Sequence, residues 1–91
     1  MWIRSQDKKQ LVNANELYIA TRSIGYCIST GKGNDLASYL SEEKAIKVLD
    51  MIQDFEIRHQ ANLLLAIYQE SNDNAEENMV FQMPQDSEVE V

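Results

Sequence analysis

The chain has 91 residues, a net charge of −7 and one cysteine. A chain of this length is expected to form a single core. The lone Cys27 cannot form an internal disulfide. This favours a reducing cytoplasm, where the thiol is expected to be a buried apolar group. The acidity argues against general affinity for nucleic acid, and the apolar runs are too short to cross a bilayer.

The first 40 residues are typical of short strands, because segments rich in β-branched and aromatic residues alternate with polar turns. Taken in order, they predict a small antiparallel β-meander of about five strands. Leu17 and Ile19 recur with a period of two, as do Tyr26 and Ile28, so one face of each strand is expected to pack on a helix. The predicted strands are Trp2–Gln6, Gln10–Asn13, Glu16–Thr21, Gly25–Thr30 and Asp35–Leu40.

After Leu40 the apolar period changes from two to about 3.6, which predicts one long C-terminal amphipathic helix. Ser41 is expected to be its N-cap, and Glu42 and Glu43 place negative charge at the positive end of the helix dipole. The predicted fold class is α+β, a β-meander followed by this helix, with oligomerisation through the helix. The residues expected to face the sheet are Ala45, Val48, Leu49 and Ile52.

The later turns of the helix are apolar around most of their circumference, over Asn62–Tyr68. A small sheet can cover only one side of a helix, so we expect a second copy of the chain to cover the others. A kink or break near Asp54–Gln60, which would let the last turns fold back, is the competing geometry. The residues predicted to form the oligomer interface are His59, Leu63, Leu64, Ile67 and Tyr68.

Residues 1–70 are expected to form the domain of sheet and helix, and residues 71–91 an acidic linker with a tail. Within the second part, Met79–Met83 is predicted to add an edge strand to the sheet, or else to be a docking peptide for a partner. The final Gln85–Val91 is expected to be disordered, because its acidic residues have no core to join.

The charge is divided unevenly along the chain. The first 40 residues carry five Lys or Arg against three Asp or Glu, whereas residues 41–91 carry three against twelve. An acidic helix and tail could approach a basic surface, so a mimic of nucleic-acid charge is one functional hypothesis. A solvated acidic face that improves solubility is the alternative.

The basic residues of the predicted sheet permit a ligand site. Arg4 and Arg22 offer guanidinium groups to a phosphate, and Tyr18 and Tyr26 offer flat surfaces to a base. These four residues are the candidates for binding an anionic, nucleotide-like molecule, within one chain or between subunits. The alternative is that the tyrosines belong to the core or the sheet surface and the cations decorate turns.

Catalysis has little support. His59 is the only histidine, and Glu56 could hold its ring in one tautomer. No serine or cysteine lies at a spacing that makes it a nucleophile for this pair, so a polar break in the apolar stripe or an interface hydrogen bond is the better explanation. The side chains also show no metal-ligand spacing. We therefore expect no enzyme activity, no cofactor and no metal.

Three segments together resemble small uncharacterised proteins of phages and prophages of Firmicutes: Trp2–Lys8, Ser41–Ile52 and Val80–Pro84. The resemblance implies an accessory protein in the host cytoplasm that acts by binding a host protein or by sequestering a host signal in counter-defence. Three hypotheses follow: a homo-oligomeric binding protein, a sponge for an anionic nucleotide-like signal, and an acidic mimic. None of them involves a membrane or direct binding of nucleic acid.

Overall fold

The computed structural model describes the backbone of residues 1–69 and 80–91 and the side chains of residues 1–58 and 80–91. These residues form six strands, one long α-helix and a short 3-10 helix, so the predicted α+β class is confirmed. The elements are β1 Trp2–Arg4, β2 Leu11–Asn13, β3 Leu17–Arg22, β4 Gly25–Thr30, β5 Asp35–Tyr39, α1 Glu42–Gln69, β6 Val80–Gln82 and the 3-10 helix Asp86–Glu88.

The strands form two three-stranded sheets rather than one meander. In the first, β1 is central, antiparallel to β2 and parallel to β6. In the second, β3, β4 and β5 are antiparallel in chain order. The prediction of a single meander is wrong because β2 and β3 do not pair, which leaves β2 at the edge of the first sheet and β3 at the edge of the second. Local sequence patterns report which segments are extended, not which of them pair.

The predicted C-terminal position of the helix is also wrong. After α1 the chain returns to the first sheet, where Phe81 in β6 lies opposite Ile3 in β1. Phe81 and Met83 are buried, and Ile3 is fully buried. Burial of this apolar cluster explains the return, since otherwise it would face water. The edge strand predicted at 79–83 is present as Val80–Gln82.

The tail that was expected to be disordered is packed on the start of the helix. The Asp86 carboxylate accepts a hydrogen bond from the Leu40 amide at 2.9 Å and forms an ion pair with Lys44 Nζ at 3.0 Å. The hydrogen bond from Leu40 is the largest cause that lowers the pKa of the Asp86 carboxyl, and the hydrogen bond from Lys44 is the second. Val89 is buried. An acidic, polar composition predicts disorder. It does not reveal the contacts with Leu40 and Lys44 that hold Asp86 in place.

Gln6 joins the two sheets, because it forms hydrogen bonds with the backbone of β5 at the positions where a neighbouring strand would. Its backbone amide donates to the Leu36 carbonyl at 2.8 Å. Its side chain donates to the carbonyl of Ser38 and accepts from the amide of the same residue, both at 3.1 Å. These bonds satisfy backbone groups along the edge strand β5, which would otherwise be open to pairing with another chain.

The start of α1 and its sheet-facing stripe are as predicted. The Ser41 hydroxyl accepts from the Lys44 amide at 3.2 Å, which is the expected N-cap bond. Beyond the predicted stripe, Phe55 packs edge-to-face on Phe81, with ring centroids 5.4 Å apart. The helix therefore lies against both sheets. The buried stripe residues are Ala45, Val48 and Ile52, with Leu49 partly buried against them.

The buried tyrosine of β5 predicts a loss of stability in alkali. Tyr39 is 1% exposed, and its hydroxyl donates to the Pro84 carbonyl at 2.8 Å. Burial, and then the charge of Asp86, raise the pKa of Tyr39 in the folded chain. The folded pKa therefore lies above the unfolded value of about 10. The protonated Tyr39 hydroxyl contributes its full stabilisation below about pH 10, and this stabilisation is lost as the pH rises through the folded pKa.

We therefore expect the free energy of unfolding to fall above about pH 10, and Tyr39→Phe to reduce that fall. At neutral pH the same change should cost about 1 kcal/mol, since the Pro84 carbonyl keeps a second donor in Gln6 Nε2. Denaturant titrations from neutral to alkaline pH measure both effects. Tyr18→Phe, at an exposed position, is the control and should keep the alkaline loss. An unchanged alkaline limb in Tyr39→Phe would contradict this expectation.

Candidate functional site

The four residues predicted to bind an anionic ligand lie on three surfaces. Tyr18 and Arg22 alternate with the core-facing residues of β3, so both project from the face of the second sheet that points away from α1. Tyr26 lies on the opposite face and packs against the core. Arg4 belongs to β1, in the other sheet. Only Tyr18 and Arg22 are brought together, and a site that used all four residues would have to form between copies.

Arg22 already has a partner. Its Nε and Nη2 each donate to the Asp35 carboxylate at 3.3 Å, and the Ser29 hydroxyl donates to the same carboxylate. The bond from Ser29 is the largest cause that lowers the pKa of Asp35, and Arg22 adds to it. The side chains of the ion pair are 43% and 36% exposed, so solvent screens it and its net contribution is small. An incoming anion would compete with Asp35 for the guanidinium.

Cys27 lies beside this cluster, on the same outward face of the central strand β4. It is fully buried and free, as predicted. Burial is the largest cause that raises the pKa of its thiol. Because the thiolate is the reactive form, a buried thiol with a raised pKa is a poor nucleophile. The arrangement therefore favours a packing role for Cys27.

The predicted oligomer interface is on the last turns of α1. The backbone there is helical and continuous with the earlier turns, so the helix is not broken near Asp54–Gln60. Glu56, the proposed partner of the histidine, is exposed. The side chains of the interface lie outside the described residues; they are His59, Leu63, Leu64, Ile67 and Tyr68.

The face of α1 that points away from the sheets carries a second set of residues, which the sequence analysis did not single out. Ile46, Asp50, Gln53 and Ile57 follow one another at intervals of four, three and four, and we call them the outer stripe. The two isoleucines are 45% and 59% exposed. Their spacing of 11 residues, about three helical turns, is the sequence signal that could have identified this face.

An open groove of about 810 Å³ was also missed; it lies between the β2–β3 connection and the turn from β4 to β5. Its walls carry amides and two opposite charges: Asn13, Asn15, Glu16, Lys32 and Asn34. Asn13 accepts from the terminal amine and Asn34 donates to a glutamine, so part of this polar capacity is used within the chain. The groove can offer hydrogen bonds to a polar molecule.

Over the described ranges 1–58 and 80–91, no group of three or more His, Cys, Asp or Glu side chains is placed to hold a metal ion. In the part of the chain that the structure describes, no helix has both the length and the apolarity needed to cross a membrane. Comparisons with protein families, with curated proteins and with solved structures gave no match.

Proposed function

We propose that this chain is a non-enzymatic accessory protein that acts by binding as a homo-oligomer. On the resemblance described above, its setting is the cytoplasm of a host that carries a phage or prophage, and its target is a host protein or host factor. The sheets supply a stable base in this proposal. The helix supplies the binding surface.

The observation that carries the proposal is the length of α1 relative to the sheets. Phe55 is the last helical residue, among those whose side chains are described, that packs against the core. Half of the 28-residue helix follows it, a length of about 21 Å. The sequence of that half is apolar around most of its circumference over Asn62–Tyr68. A helix that is apolar on several faces needs cover on several faces.

The groups near the outward face of the second sheet support a binding role rather than chemistry. Ser29 is fully buried and its hydroxyl is bonded to Asp35, while the thiol of Cys27 is buried with a raised pKa. The carboxylate beside both side chains is Asp35, whose lowered pKa and pairing with Arg22 make it a weak general base. The proposal therefore assigns these residues to the stability of the sheet.

Light scattering at micromolar concentration tests self-association. The wild-type chain should have at least twice its monomer mass, and Leu64→Asp should shift it towards the monomer because a charge cannot enter an apolar interface without cost. Leu11→Asp is the matched control. Leu11 is exposed on β2, so this substitution should leave the measured mass unchanged. A wild-type monomer would contradict the proposal.

A further inference from the structure

The outer stripe has the spacing of a helix-pairing seam, and its flank has a charge order that selects one partner. Intervals of four, three and four are those at which one helix packs along another. Ile46 and Ile57 stand at the ends of the stripe and are exposed, with Asp50 and Gln53 between them. The stripe is on the side of α1 opposite the buried residues, so the sheets do not obstruct it.

The charges beside the stripe alternate in sign along the helix. In order they are Glu43, Lys47, Asp54 and Arg58. All four are exposed, apart from the contact of Arg58 with Asp54 at 2.8 Å. Read in reverse, the order is positive, negative, positive, negative. A second copy of the helix laid antiparallel would therefore meet each charge with its opposite.

We propose that two copies of the chain pair through the outer stripes of their α1 helices, antiparallel, about a two-fold axis between residues 51 and 52. This inference rests on the self-association proposed above and adds to it a second surface, with a register, ahead of the apolar turns Asn62–Tyr68. In this register Ile46 packs against the partner's Ile57, and Asp50 lies opposite the partner's Gln53. The amide of Gln53 can donate to that carboxylate, which satisfies both polar groups at the centre of the seam.

The same register sets the flanking charges against one another. Lys47 meets the partner's Asp54 with an axial offset of about 3 Å, which the long lysine side chain spans. Glu43 meets the partner's Arg58 with the same offset. Two-fold symmetry repeats each contact, so four opposite-charge contacts line the pair. A carboxylate has several acceptor sites, so Asp54 can hold Arg58 of its own helix and the partner's Lys47 together.

Charge reversal separates this pairing from every contact within one chain. Lys47→Glu puts like charges together in a homodimer, and so does Asp54→Lys. Each variant alone should weaken self-association at least tenfold. A mixture of the two variants restores opposite charges at both contacts, so it should form a heterodimer with an affinity near that of the wild type. Residues 47 and 54 are about 10 Å apart along one helix, too far for direct contact, so only an intermolecular pair gives this rescue.

The measurement is light scattering across a concentration series, for each variant and for the equimolar mixture. Lys32→Glu is the matched control for Lys47→Glu, since it makes the same change in net charge at an exposed position away from the helix. Wild-type self-association that survives both single reversals would overturn the register and leave the proposed function standing. Weakened variants that fail to rescue each other would overturn it too. A monomeric wild-type chain would remove both proposals.

Discussion

Replacing Phe81 by alanine is expected to lower the free energy of unfolding by about 3 kcal/mol, the scale of emptying a buried aromatic site. Phe81 is 7% exposed and lies between the first sheet and α1. Phe81 pairs in the sheet with Ile3 and packs edge-to-face on Phe55 of the helix. Its removal therefore opens a cavity and loosens the strand that brings the chain back from α1.

Denaturant titration measures the effect, and two further variants identify its cause. Phe81→Leu keeps most of the buried volume and should cost about 1 kcal/mol. A double-mutant cycle of Phe55→Ala and Phe81→Ala should give a coupling of about 1 kcal/mol from the aromatic contact. If Phe81→Ala cost no more than an exposed substitution, β6 would not be part of the core.

The elements that the sequence predicted well are those that depend on neighbouring residues. Ser41 was recognisable as an N-cap because its hydroxyl binds an amide three residues away. Residues Ala45, Val48 and Ile52 were recognisable because their spacing alone places them on one face. The pairing of β1 with β6 was not recognisable, since β6 lies almost 80 residues away in the chain. The period of a strand reports its two faces and gives no information on its neighbour.

The candidate site divides in the same way. Alternation along the predicted strand separated Tyr18 from the core-facing Leu17 and Ile19, whereas Arg22 lies one residue beyond the predicted end at Thr21 and was not assigned to a face. Their separation from Arg4 depends on the existence of two sheets, which no local pattern reports. The ion pair of Arg22 with Asp35 also depends on pairing across β4. The outer stripe of α1 was present in the sequence, but the apolar run that follows it is the stronger signal.

Gly25→Ala is expected to cost about 3 kcal/mol, because the position combines a left-handed backbone with a close approach. Gly25 has a φ of +133°, and a Cβ there would lie 2.5 Å from the carbonyl oxygen of Tyr39. That oxygen belongs to the backbone at the end of β5 and cannot rotate away. The added carbon must push the first residue of β4 off its neighbouring strand.

Gly33→Ala is the matched control for that change. Gly33 also has a positive φ, +83°, but a Cβ there meets nothing within 4 Å. Only the backbone strain remains, and it should cost about 1 kcal/mol. Denaturant titration measures both variants, and the excess cost at Gly25 reports the close approach to Tyr39 together with the strain of its larger φ. Equal costs for the two changes would mean that β4 can move away from Tyr39 without loss, and that the close packing at this corner does not stabilise the sheet.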